Sequence, residues 1–96
     1  MPINLTKIKT YVGFAIKSKK ILYGIDNILL KKSYLIIISD ELKSSSKQKC
    51  LSYAESRGVP IKEVSGENVT FFVNREGVKA FAINDASLAK AILNNF

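Results

Sequence analysis

Tyr34 to Ile38 reads Y-L-I-I-I, an unbroken apolar run that ends in three isoleucines. Alternate side chains of a strand point to opposite faces. A run with no polar alternation therefore matches a strand covered on both sides, and its aromatic and β-branched residues suit that role. Any fold containing it must place further elements above and below one sheet. The preceding residues supply the first of them. Ile21 to Tyr23 reads as a short strand, and Gly24 permits a sharp turn because it lacks a Cβ. Ile25 to Lys32 reads as a short helix with Ile25, Ile28 and Leu29 on one side. A helix that starts just after a glycine offers unpaired N–H groups and a positive dipole end, which favours an anion such as phosphate. Lys19 and Lys20 precede this strand-helix-strand unit, and Lys31 and Lys32 close its helix.

The rest of the chain continues the alternation. Asn4 is placed to cap a first helix, whose stripe is Leu5, Ile8, Val12, Ala15 and Ile16, ending near Ser18. Lys7, Lys9 and Lys17 fall largely off that stripe. After a polar loop from Asp40 to Ser44, Ser45 and Gln48 match a capping box. Cys50, Leu51 and Ala54 give the helix that follows its inner face, and Gly58 ends it. Pro60 has no N–H to donate and belongs at the start of a strand that runs to about Val64. Ser65 to Val73 permits helix or strand, and a short helix capped by Ser65 is preferred, because Val78 to Ile83 already supplies a strand. Asn74 to Gly77 is a turn by composition. Asp85 caps a last helix with Leu88, Ala89, Ile92 and Phe96 inward. This order predicts a single α/β domain over residues 1–96, a three-layer α-β-α sandwich around a central four-stranded mixed sheet.

Charge is unevenly placed. The chain carries 15 basic and 8 acidic residues, a net charge of +7. Up to Lys49, ten lysines face only Asp26, Asp40 and Glu41, whereas the second half is balanced. An excess confined to one half points to a polyanion-binding face, against the plainer alternative that lysines keep a small protein soluble. Cys50 is the sole cysteine and histidine is absent. No internal disulfide can form and the usual zinc ligands are missing, so a reducing, cytoplasmic setting with no metal and no cofactor is expected. Met1 to Asn4 shows no signal-peptide pattern and no apolar run approaches ~20 residues, so no membrane association is expected.

Nothing in the sequence favours an enzyme. A Ser/His/Asp or Cys/His set cannot be assembled without histidine, and neither phosphate-binding glycine motif occurs. Asp26, Asp40 and Asp85 each stand at a strand-helix junction, where capping is the default role. Cys50 reads as a buried, inert thiol. Tyr23 and Tyr34 flank the small helix, and either could stack on a base, although a strand end also suits them. Phe71 and Phe72 are expected to pack under the last strand; one of them left exposed would mark a contact surface.

Several stretches together resemble a known family. These are Val12-Gly13-Phe14-Ala15-Ile16-Lys17, Lys20-Ile21-Leu22-Tyr23-Gly24, Leu35-Ile36-Ile37-Ile38-Ser39-Asp40, Gly58-Val59-Pro60 and Ala80-Phe81-Ala82-Ile83-Asn84-Asp85. Lys47, Lys49 and Cys50 on the middle helix fit the same pattern. In order and spacing they are similar to the kink-turn-binding ribosomal proteins (L-seven-Ae, L-thirty-e and Gadd-forty-five-like), above all to the small bacterial members. The resemblance implies a cytoplasmic RNA-binding protein of the ribosome or translation apparatus, with structured RNA as partner and a ribosomal or translation-factor protein as a further one. It also implies where the RNA would sit. Gly24 stands at the family's glycine. Asp26, Asn27 and Leu30 stand where asparagine, glutamate and lysine are usual. Arg75, Val78 and Lys79 would form the loop that packs on flipped-out bases. With the flanking basic residues, the expected RNA site is Lys19, Lys20, Gly24, Ile25, Asp26, Asn27, Lys31, Lys32, Arg75, Val78 and Lys79. The alternative is a protein-interaction module on the same fold that has lost kink-turn binding, since a carboxylate at Asp26 repels phosphate and Leu30 removes a cation.

Overall fold

A computed structural model of the chain describes residues 3–96; Met1 and Pro2 lie outside the described residues. The elements are α1 (Leu5–Lys17), β1 (Ile21–Tyr23), α2 (Ile25–Leu30), β2 (Leu35–Ser39), α3 (Ser44–Arg57), β3 (Ile61–Val64), α4 (Gly66–Val73), β4 (Ala80–Ile83) and α5 (Ala86–Leu93). They form one four-stranded sheet in the order β1-β4-β2-β3. β4 runs antiparallel to both β1 and β2, while β2 and β3 are parallel. The sandwich is therefore α/β with three layers and a mixed sheet, as the alternation predicts.

β2 is central and all five of its residues are buried. Its side chains divide between two cores, as period-2 geometry requires. Leu35 and Ile37 join Phe81 and Ile83 from β4 under Ile8, Val12 and Ala15 of α1, with Val69, Phe72 and Val73 of α4 and Ala89 and Ile92 of α5. Ile36 and Ile38 join Ala80 and Ala82 against Ile28 of α2 and Cys50 and Ala54 of α3. Small residues on β4 and α3 let the second helical layer approach the sheet closely.

Side-chain caps fix three helix starts. Asn4 Oδ1 accepts from the Lys7 N–H at 3.1 Å, Ser65 Oγ from Asn68 at 3.1 Å, and Asp85 Oδ1 from Leu88 at 2.9 Å. Asp85→Ala should accordingly lower stability by about 1 kcal/mol, measured by denaturant titration. The Ser65 cap settles residues 66–73 as helix.

Several expectations need correction. The capping box at Ser45 and Gln48 does not form: α3 starts one residue earlier, Lys43 is its N-cap residue, and no side chain caps it. Leu51 is 38% exposed, because it lies about 100° around the helix from Cys50 and past the stripe that Cys50 and Ala54 bury. α2 stops at Leu30, since Lys31 is extended (φ −123°, ψ 156°) and its carbonyl accepts from the Tyr53 hydroxyl at 3.1 Å. Phe72 is buried at 1% exposure, but Phe71 is 41% exposed beneath the Lys9 ammonium, 4.9 Å from its ring centroid.

Cys50 is fully buried, and burial pushes its thiol pKa up. A thiol reagent should label it only as fast as the fold opens, and guanidinium should expose it. The sign with pH follows from the raised value. The neutral thiol is favoured in the fold, so its contribution is complete below the pKa of the unfolded thiol and is lost as pH rises through the folded one.

Candidate nucleic-acid interface

β1, β2 and β3 run in one direction and β4 in the other, so the sheet has two distinct ends. The residues expected to bind RNA divide between them. At the C-terminal ends of β1 to β3 lie Gly24, Ile25, Asp26 and Asn27, together with the loop that carries Arg75, Val78 and Lys79 into β4. At the opposite end lie Lys19 and Lys20, which lead into β1, and Lys31 and Lys32, which lead towards β2. The lysines that flank the glycine in sequence do not surround it in space. A three-residue strand separates the Lys19–Lys20 pair from the Gly24 corner by about 10 Å.

The Gly24 corner is nonetheless well defined. Gly24 has φ 82° and ψ 157°, a conformation essentially restricted to glycine. Its N–H donates to Ala80 O at 3.0 Å, which pins the corner to the start of β4. The same junction brings in the loop before β4. The Arg75 guanidinium lies 4.8 Å from the centroid of the Tyr23 ring, a cation–π contact. Val78 is half-buried against the first core, and Lys79 is exposed. Asn27 donates through Nδ2 to Tyr23 O at 2.8 Å, so its Oδ1 faces outward as an acceptor. Asp26 is exposed in the first turn of α2 and does not cap it; the N-cap residue is Gly24.

This corner is therefore rich in acceptors. Asp26 opposes the positive end of the α2 dipole, which weakens the pull on phosphate that the strand-glycine-helix pattern predicts. The neighbouring helix start is likewise met by carboxylates. Asp40 Oδ1 accepts from the Gly66 N–H at 3.2 Å, and a Cβ on Gly66 would fall 2.5 Å from Glu41 Oε1. Asp40 thus takes a further N–H at the start of α4, which Ser65 caps, and does not cap the helix that follows it in sequence. Glu67 and Glu76 stand beside the same helix start.

The cationic surface is at the other end. Lys17, Lys19 and Lys20 precede β1, Lys31 and Lys32 precede β2, and Arg57 precedes β3. Among the described residues the single salt bridge, Lys47 to Glu63 at 2.7 Å, uses none of them. Sequence reasoning missed Arg57 because it lies in the charge-balanced half, and only the parallel pairing of β3 with β2 brings it beside Lys31 and Lys32.

No helix is long and apolar enough to cross a membrane among the described residues. No family model matches the chain, and no curated protein does. Among solved structures, it is similar to a protein with unknown function from Bacillus halodurans C. The TM-score is 0.83 at 18% sequence identity, over 92% of this chain and 94% of that one. This likeness defines a class by fold alone, an α/β sandwich of this topology.

Proposed function

We infer that the chain binds structured RNA along its β1 edge, as a ribosome- or translation-associated protein of the cytoplasm. The observation that carries this reading is the meeting of two distant segments next to Gly24, where Arg75 is held over the ring of Tyr23 and Asn27 donates to the Tyr23 carbonyl. The likeness of the sequence to kink-turn-binding proteins supports it. Asp26 and the outward Oδ1 of Asn27 offer acceptors, which suit the N–H donors on the edges of unpaired or sheared guanines better than they suit phosphate. Arg75 adds a cation and a planar face for a splayed base. Lys19 and Lys20, one short strand away, would meet the phosphates on the flank of the same RNA, with Lys79 on the other side. The assay is binding of a kink-turn RNA and of an unstructured RNA of equal length at several salt concentrations. Preference for the structured RNA, with affinity falling about a hundredfold between 50 and 200 mM salt, is the expected result. Equal, salt-insensitive weakness for both RNAs would overturn it.

A protein-interaction module on this fold is the second reading. Leu30 favours it, because at 82% exposure it places a large apolar side chain where the resembling family carries a lysine.

A further inference from the structure

Between the C-terminal ends of α2 and α3 lies a groove of about 410 Å³, lined by Leu29 to Ser33 with Tyr53, Arg57 and Val59. It is at the opposite end of the sheet from Gly24. We propose that this groove binds a small phosphorylated molecule of mononucleotide size. It is a site separate from the RNA surface inferred above and does not depend on that reading.

Three observations converge. The first is charge. Lys31, Lys32 and Arg57 line the groove, no carboxylate does, and none of the three forms a salt bridge. Cations near helix C-termini ordinarily answer the helix dipole. Here, however, two of them are also held in place by aromatic rings: Arg57 lies 5.2 Å from the Tyr53 ring centroid and Lys32 lies 5.4 Å from that of Tyr34. Three like charges converging on one concave surface repel one another, and a bound anion relieves that repulsion.

The second is Ser33. It is 4% exposed, it lines the groove, and its hydroxyl is the one buried side-chain polar atom without a hydrogen-bond partner among the described residues. Leaving such a group unpaired is costly, and a water, an ion or a ligand is required to complete its bonding. A hydroxyl beside three cations is suited to donate to a phosphate oxygen. The third is the apolar wall. Leu30, 82% exposed, and Tyr53 both line the groove. A phosphate alone would leave both unused. A phosphate joined to a flat heterocycle would use the cations and the wall together, and the groove volume is within the range of small-ligand sites.

Amide NMR titration of the whole chain tests this, with adenosine 5′-monophosphate, guanosine 5′-monophosphate, inorganic phosphate and adenosine as separate probes. The expected result is saturable binding of a mononucleotide, with shifts at residues 29–33 and 53–59. Adenosine and inorganic phosphate should each bind about tenfold more weakly or worse. Arg57→Gln should weaken the mononucleotide about tenfold while leaving the unfolding midpoint in place. Ser33→Ala, which removes the orphaned hydroxyl, should weaken binding without lowering the midpoint. Shifts spread without saturation over every lysine would overturn the proposal, and so would affinities untouched by Arg57→Gln and Ser33→Ala. A hairpin RNA that shifts the groove residues when no mononucleotide does would also overturn it, and would assign the groove to the RNA surface.

Discussion

Replacing Phe72 by alanine should lower stability by about 3–5 kcal/mol, whereas the same change at the adjacent Phe71 should cost less than about 1 kcal/mol. Phe72 is 1% exposed and packs in the first core against the edge of Phe96, with ring centroids 6.5 Å apart. Removing it opens a cavity where α1, α4 and the sheet meet, and close-packed neighbours collapse only partly into such a space. Phe71 is 41% exposed, and its main contact is with Lys9, whose Nζ also donates to the Phe71 carbonyl at 2.8 Å. That hydrogen bond goes to backbone and survives the truncation. A domain of this size has a total stability of roughly 5–14 kcal/mol, so Phe72→Ala takes away a large share of it. Thermal unfolding should fall by at least about 12 °C for Phe72→Ala and only a few degrees for Phe71→Ala. Equal losses at the two positions would contradict the placement of α4.

The triple variant Lys19→Gln, Lys20→Gln, Arg75→Gln should weaken binding to structured RNA about a hundredfold at 0.1 M salt. Each cation that touches a phosphate releases condensed counterions, and on paired strands each contributes about 0.9 to the slope of log affinity against log salt. Losing the two lysine contacts should therefore flatten that slope by about 2. The side chains are exposed, so the fold should persist, as far-UV circular dichroism would verify. Lys62→Gln and Lys90→Gln, away from the β1 edge, serve as a control and should change affinity little. An unchanged slope in the triple variant would remove RNA from the β1 edge.

The fold is largely legible in the sequence, because patterning and caps agree. Tyr34 to Ile38 specifies a central strand, and Asn4, Ser65 and Asp85 each cap the helix that follows them. The errors arise where local signals compete. Three consecutive serines offer equivalent starts for α3, and the helix takes none of their hydroxyls as a cap. Leu51 is apolar, yet the narrow stripe of Cys50 and Ala54 already satisfies the helix-sheet contact. The site is less legible than the fold for a topological reason. Proximity in sequence places Lys19, Lys20, Lys31 and Lys32 around Gly24, but β1 and α2 each carry the chain from one end of the sheet to the other. Both pairs consequently end up at the other end of the sheet from the glycine, leading into strands that β4 separates. Arg75 beside Tyr23 and Arg57 beside Lys32 depend on strand pairing between segments far apart in the chain, which no local pattern encodes.

The position of β4 between β1 and β2 bears on how the chain is made. As the polypeptide leaves the ribosome, β1 and β2 emerge without a bond to each other; the strand that joins them is the last of the four to appear. Until Ala80 to Ile83 is synthesised, the isoleucines of β2 lack a neighbour on one side, and α1 lacks α5 to rest on. Closure of about sixty residues of loop precedes that insertion, so folding is expected to be slow for a sheet of four short strands.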